Sequence, residues 1–183
     1  MIYLTTARTD MTRSSGGGIA FLMAYGTTLL IAGMLAFWLP APQAALLILF
    51  QGGVALPAAF ALERLLGFPP MASDNPLRPL AVQLAMVQVV ALPAVIITYQ
   101  LDPIYVPAVF AAIGGGHFLP YAWLHRTRIY LVLSVGVSLG TWLMMGIWGA
   151  SAFPYVPLMW GISLWTAALA LRSKGQRPIS VPA

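Results

Sequence analysis

The sequence predicts an all-α fold, a polytopic membrane helix bundle of six transmembrane helices with both ends in the cytoplasm. Hydrophobic residues make up 60% of the chain and charged residues 7%, against about 45–50% and about 25% in ordinary soluble proteins. A soluble fold of 183 residues cannot hide that much apolar surface from water. The apolar residues also fall into six long segments, as a multi-pass membrane protein requires.

Positive charge sets the predicted orientation. Every Lys and Arg lies in alternate gaps between the apolar segments, and the other three gaps contain none. The basic residues are Arg8, Arg13, Arg64, Arg78, Arg126, Arg128, Arg172, Lys174 and Arg177. Cytoplasmic loops are enriched in Lys and Arg, so these gaps are predicted to be cytoplasmic. Because topology explains the charge, the predicted partners are membrane lipids and not nucleic acid, and a homo-oligomer is left open.

The predicted spans follow the apolar segments in order. They are residues 17–39, 43–63, 79–100, 103–124, 128–149 and 153–171. Each is close to the ~20 residues that cross a hydrocarbon core. Helices are expected because lipid cannot hydrogen-bond to backbone groups, which must therefore pair within the helix. The chain is therefore divided into a cytoplasmic tail (1–16), a transmembrane domain (17–171) and a second cytoplasmic tail (172–183).

Glycine and proline recur together in the second and fourth spans. The first motif, GGVALP, occupies residues 52–57, and the second, GGHFLP, occupies 115–120 at a similar depth. The same offset aligns Pro40 with Pro103, although Val-Ala-Leu-Pro at 90–93 shows that such strings also arise elsewhere, so an internal repeat stays open. Glycine and proline weaken helices, so bends are expected near Pro57 and Pro120. Interrupted helices often mark transporter binding sites, but close helix packing explains the same motifs.

His117 is the one ionisable side chain predicted deep within a span. Such a group suggests a proton relay or ligand contact, and the alternative is a neutral imidazole hydrogen-bonded to a neighbouring helix. Glutamine amides that avoid lipid, the tyrosine one turn later and the glycine breaks complete the predicted substrate-binding set. Its members are His117, Gln51, Tyr121, Gln83, Gln88, Gly53 and Gly116.

Little of the composition suits an enzyme. The chain has no cysteine, four acidic residues and two histidines, so no metal, cofactor or catalytic residue is predicted. Residues 136–140 match the G-x-S-x-G pattern of hydrolases, but that motif needs a strand before the serine. Within a membrane helix, Gly136 and Gly140 are better explained as a helix contact.

The segment GGGHFLPYAWL at 114–124, followed by Tyr130, resembles a family of small bacterial six-helix membrane proteins known only as a domain of unknown function. Asp-Asn-Pro-Leu at 74–77 is similar to that family's loop before its third helix, and the similarity covers roughly residues 45–150. The resemblance implies a protein of the bacterial inner membrane. It implies no activity or cofactor.

Three functions fit these observations. The first is a small-solute or ion transporter, or a membrane-embedded binding protein, with a polar site near His117. The second is a lipid-modifying enzyme in which His117 or His125 acts as the acid–base group, and the third is a structural or regulatory partner of another membrane protein. A polar cavity at mid-membrane favours the first, a pocket opening toward headgroups the second, and a dry bundle the third.

Overall fold

The structure is a computed structural model, and it describes residues 2–175. All regular structure in this range is helical, which confirms the predicted all-α class. The α-helices are α1 (Ile2–Ser14), α2 (Ile19–Leu35), α3 (Ala41–Phe50), α4 (Gly52–Leu65), α5 (Arg78–Leu101), α6 (Val106–His117), α7 (Leu119–Leu124), α8 (Arg128–Trp148) and α9 (Tyr155–Gly175). Short 3₁₀ turns lie at Gly16–Gly18, Pro103–Tyr105 and Gly149–Ala152.

Five helical stretches of the described residues are long and apolar enough to cross a membrane. They are Gly16–Leu35, Ala41–Leu65, Arg78–Leu101, Pro103–Leu124 and Arg128–Ala152. The helix α9 has 21 residues, but Ser163, Thr166 and Arg172 make it less apolar, and it is not among the five. The sixth span and the orientation therefore stay predictions, and residues 176–183 of the predicted C-terminal tail lie outside the described residues.

The helices α2 and α9 form the closest helix pair of the bundle. A Cβ placed on Gly161 would lie 2.8 Å from the carbonyl oxygen of Gly26, and one on Gly33 would lie 2.9 Å from the side chain of Leu158. Only glycine permits backbones to approach this closely, and van der Waals packing of small residues is the main source of helix association in lipid. This α2–α9 seam is thus a rigid part of the fold.

The remaining helices surround that pair. The helix α6 packs against α8, α5 and α9, and α8 also contacts α9. The core between α2, α3, α6 and α9 includes Leu29, Ile48, Val106 and Leu164, each at most 1% exposed. At one edge, α5 buries only Val95 fully and leaves most of its surface outside the protein.

Two of the predicted spans are interrupted, but not at equivalent places. The second is divided between α3 and α4 at Gln51, and the fourth between α6 and α7 at Phe118. The break at Phe118 lies near Pro120, as predicted, because proline lacks the N–H that would continue the helix. The bend expected near Pro57 is displaced, since Pro57 lies inside α4 and the break precedes the glycine pair. The first half of the second span, α3, contacts α2, α5 and α6, whereas the second half, α4, packs mainly against α2.

The N-terminal segment forms a helix that the sequence did not predict. Ala7 and Met11 of α1 are buried against Leu77 and Leu124, so α1 lies across the ends of α5 and α7. The chain then turns into α2 through Gly16–Gly18, whose positive φ angles of 56°, 70° and 87° favour glycine. The predicted cytoplasmic tail is therefore an ordered cover over one end of the bundle.

Candidate functional site

Three aromatic rings form a row that begins in the fourth span and ends just beyond it. His117, Tyr121 and His125 are spaced four residues apart, so they project from the same side of a helix. The ring centroids of His117 and Tyr121 are 5.1 Å apart, and those of Tyr121 and His125 are 5.9 Å apart with planes inclined by 11°. Together with Tyr130 of α8, these residues are called the histidine–tyrosine column below.

The end of the column deep in the bundle is a polar pair between α5 and α6. The side-chain amide nitrogen of Gln88 lies 3.2 Å from Nδ1 of His117, and both residues are half-buried. With the amide nitrogen as donor, Nδ1 accepts, and in the other histidine tautomer Nδ1 donates to the amide oxygen instead. The ring of Phe118, 4.9 Å away and edge-on, packs against the imidazole. The predicted site contains three glutamines, and Gln88 is the one that the structure pairs with His117.

The other end of the column, at His125, lies under α1. Nδ1 of His125 is 3.0 Å from the hydroxyl oxygen of Thr12, and the His125 ring stacks on Tyr130 at 5.5 Å. The Tyr130 hydroxyl in turn donates to the carbonyl oxygen of Gly17. His125 lies outside the membrane-spanning segments, and burial lowers its pKa from 6.5 to about 4. The column therefore ends in a neutral imidazole at pH 7.

The position of Tyr121 between the two histidines is fixed by contacts with neighbouring helices. Its hydroxyl lies 3.5 Å from the carbonyl oxygen of Ala81 in α5, which is a long hydrogen bond. Its ring centroid lies 5.8 Å from that of Tyr130 in α8. The column is thus enclosed by α5 on one side and α8 on the other.

Charged residues of α1 attach this helix to both neighbouring loops. The Arg8 guanidinium donates to the carbonyl oxygens of Trp123 and Leu124 and lies 4.4 Å from the centroid of the Trp123 ring. A cation at the carboxyl end of α7 is favourable because the last carbonyls of a helix are unpaired and partly negative. On the other side, Asp10 accepts from the side chain of Asn75 at 2.7 Å. The side-chain nitrogen of Asn75, Nδ2, also donates to the carbonyl oxygen of Ala7 at 2.9 Å.

The structure does not bring the other predicted residues to His117. Gln51 is 7% exposed and accepts a hydrogen bond from Thr28 of α2, on a different side of the bundle. Gln83 is exposed in a shallow apolar depression on the outer face of α5. Gly53 and Gly116 are exposed too, and a Cβ on either would meet nothing within 4 Å, so no backbone approaches them closely.

Two residues of the column were not in the predicted site. His125 had been considered only as the acid–base group of an enzyme, and Tyr130 only as part of the family resemblance. The four-residue spacing of His117, Tyr121 and His125 is a signal that the sequence does contain. The contact with Thr12 had no such signal, because it depends on α1 folding back over the bundle.

The side chains of this site can exchange protons and form hydrogen bonds. In the described part of the chain, no group of three or more His, Cys, Asp or Glu side chains is placed to hold a metal ion. Imidazole and phenol groups can both donate and accept protons, whereas the Gln88 amide only donates or accepts hydrogen bonds. Two surface depressions lie on α5 and along Thr5, Thr9 and Arg13 of α1, and neither is lined by His117, so neither is the polar mid-membrane cavity that would favour a transporter.

Comparison with known proteins identifies a family but no activity. No curated protein and no solved structure matches this chain. The Family of unknown function (DUF7010) matches residues 4–174, and the match includes all the helices that form the column and its cover. A match over nearly the whole chain means that this protein belongs to that family.

Proposed function

We propose that this protein is a proton-coupled carrier of a small solute in the cytoplasmic membrane, the inner membrane of a bacterium. In this proposal α9 is the sixth span and both ends are cytoplasmic. The topology is supported by the positions of the basic residues, which lie at one end of the bundle. Arg8 lies in α1 and Arg126 in the α7–α8 connection, and the adjoining ends of α4, α5 and α9 contain Arg64, Arg78 and Arg172.

The observation that supports proton coupling is the length of the histidine–tyrosine column. Counting from Pro103 at about 1.5 Å per residue, His117 lies about 21 Å into its span. From that depth, groups that exchange protons continue through Tyr121 to His125 at the end covered by α1. Chains of ionisable residues inside membranes are a recurrent feature of proton pathways. Centroid separations of 5.1 and 5.9 Å place neighbouring rings in direct contact, so the column is a continuous row of such groups.

The His117–Gln88 pair supplies a reason for the proton to change the conformation. When His117 is neutral, its Nδ1 accepts from the Gln88 amide nitrogen. When His117 takes a proton, Nδ1 becomes a donor, and Gln88 must present its amide oxygen instead. Protonation therefore reverses this hydrogen bond, which rotation of the Gln88 amide alone can accommodate, and in this proposal the charge added to His117 is what shifts α5 against α6.

Proton uptake by liposomes tests this function. Liposomes that contain the full chain and an internal pH dye receive an external acid step in a chloride medium. We expect faster acidification than in empty liposomes, and we expect His117→Ala and His117→Gln to reduce it to the rate of empty liposomes. Glutamine can keep a hydrogen bond to Gln88 but cannot take the proton, so it separates titration from packing.

The control is Gln83→Ala, which removes an exposed amide from the same helix that provides Gln88. It should keep the wild-type rate. Thermal unfolding of each variant verifies that the protein is folded, since loss of one interhelical hydrogen bond costs only about 0.6–2 kcal/mol. Full proton uptake by a folded His117→Gln variant would rule out the proposed role of this histidine.

A further inference from the structure

The helix α5 has an exposed face that points away from the rest of the bundle. Of the five stretches that could cross a membrane, Arg78–Leu101 is the least buried, at 6% against 22–44% in the other four. At about 100° per residue, the side opposite Gln88 and Val95 has six residues, all exposed, which are called the outer row below. They are Gln83, Met86, Val90, Pro93, Ile97 and Gln100.

The spacing of the outer row matches a helix–helix contact. Its residues follow one another at intervals of three and four in strict alternation, which is the heptad pattern of two helices that pack along their whole length. Most helix pairs in membranes pack with the same left-handed geometry. The β-branched residues Val90 and Ile97 occupy the position that favours two-stranded pairs. Contact with lipid alone requires apolar residues but no such order.

Two residues of the outer row are polar. Gln83 and Gln100 lie about 25 Å apart along the helix at 1.5 Å per residue, less than the ~30 Å of a hydrocarbon core. Within the described residues, no hydrogen bond pairs either side-chain amide. An amide both donates and accepts, so it is complementary to the same amide of a second copy. Glutamines commonly form such bonds between membrane helices.

The surface of α5 also has a suitable hole for a side chain of a facing helix. Gln83, Met86, Val87 and Val90 line part of a shallow depression. Their spacing is that of the four residues that receive one side chain when two helices pack in this pattern. For two parallel copies in register, the side chain that enters is Met86, which is unbranched and adapts to irregular gaps.

We propose that two copies of this chain associate in the membrane through their outer rows. The two α5 helices run parallel about a two-fold axis, and the Gln83 amides of the two copies pair with each other. The pairing requires α5 to span the membrane but does not require proton transport, because one chain contains the whole histidine–tyrosine column. Variants that lose the pairing should therefore keep their proton uptake per chain.

Disulfide cross-linking tests the interface in membranes of cells that produce the full chain at a low level. The natural chain has no cysteine. Val90→Cys lies in the outer row, and the matched control Leu139→Cys lies on the exposed surface of α8. Both lie about 17 Å into their helices from the cytoplasmic end, so a membrane-permeant oxidant reaches them at the same depth. We expect Val90→Cys to form the disulfide dimer at least about tenfold faster, since the two-fold axis brings its two sulfurs within bonding distance.

A second substitution tests the amide pair. In the Val90→Cys chain, Gln83→Leu should weaken association about tenfold, because it removes the paired amides and keeps an apolar side chain for lipid. The matched control is Gln43→Leu, at an exposed glutamine of α3, which should leave the rate of cross-linking unchanged. Undiminished cross-linking in a folded Gln83→Leu variant would overturn the amide pair as the contact that holds the copies together.

The remaining outcomes separate this interface from the carrier function. Equal rates for Val90→Cys and Leu139→Cys would overturn the pairing of two copies, since Leu139→Cys measures random collision. A cross-linked product of a mass other than twice that of the chain would also overturn it and assign the outer row to another membrane protein. If Val90→Cys dimerises as expected but the wild type takes up no protons, the interface stands and the carrier function falls.

Discussion

The seam between α2 and α9 and the seam between α5 and α6 are built on opposite principles. In the first, Gly26 and Gly161 bring two backbones into contact. In the second, the link between helices includes a hydrogen bond from Gln88 to His117, and α5 is mostly exposed outside the protein. Backbone contact leaves little space for rearrangement, whereas a half-buried polar pair on an edge helix is less constrained by packing. In the proposed function, the first seam is the fixed scaffold and the second responds to the proton.

The largest effect is expected from filling the scaffold seam. Gly161→Leu places a side chain 2.8 Å from the Gly26 carbonyl oxygen, where no flexible group can yield. We expect about 3 kcal/mol of destabilisation and a large loss of folded protein. The matched control is Gly136→Leu in α8, where a Cβ meets nothing within 4 Å. Thermal unfolding in detergent compares the two, and equal melting temperatures would show that the α2–α9 seam is not close-packed.

Acid should weaken the packing of α1 over His125, with a smaller effect on stability than filling the scaffold seam. Burial lowers the pKa of His125 from 6.5 to about 4, so the folded protein favours the neutral ring. The stabilisation is therefore complete above pH 6.5 and is lost as the pH falls from 6.5 toward 4. We expect the docking of α1 through Thr12 to loosen in this window, and hydrogen exchange of α1 amides measures it. In His125→Gln the exchange of α1 should depend less on pH, and an unchanged pH dependence would exclude His125 as its cause.

The sequence predicted the apolar helices well because hydrophobic length is a local property. It also grouped His117, Gln88 and Tyr121, which lie in contact because polar groups that are removed from water need polar partners. Gln51 was grouped with them as an amide that avoids lipid, but it is hydrogen-bonded to Thr28 of α2 instead. The cover formed by α1 had no sequence signal, since Ala7 and Met11 become buried only through contact with distant residues.

Cysteine accessibility tests the contrast between the two seams most directly, because the natural chain has no cysteine. In inside-out vesicles, a small membrane-impermeant thiol reagent reaches each single-cysteine variant from the cytoplasmic side. Gln88→Cys lies beside His117, and Ala168→Cys, 2% exposed, lies in α9 only one turn from Arg172. We predict labelling of Gln88→Cys at least about tenfold faster, although it lies deeper, because Gln88 is half-buried on an edge helix whereas Ala168 is packed inside the scaffold. Equal labelling, or faster labelling of Ala168→Cys, would contradict a water-accessible α5–α6 seam beside a dry scaffold.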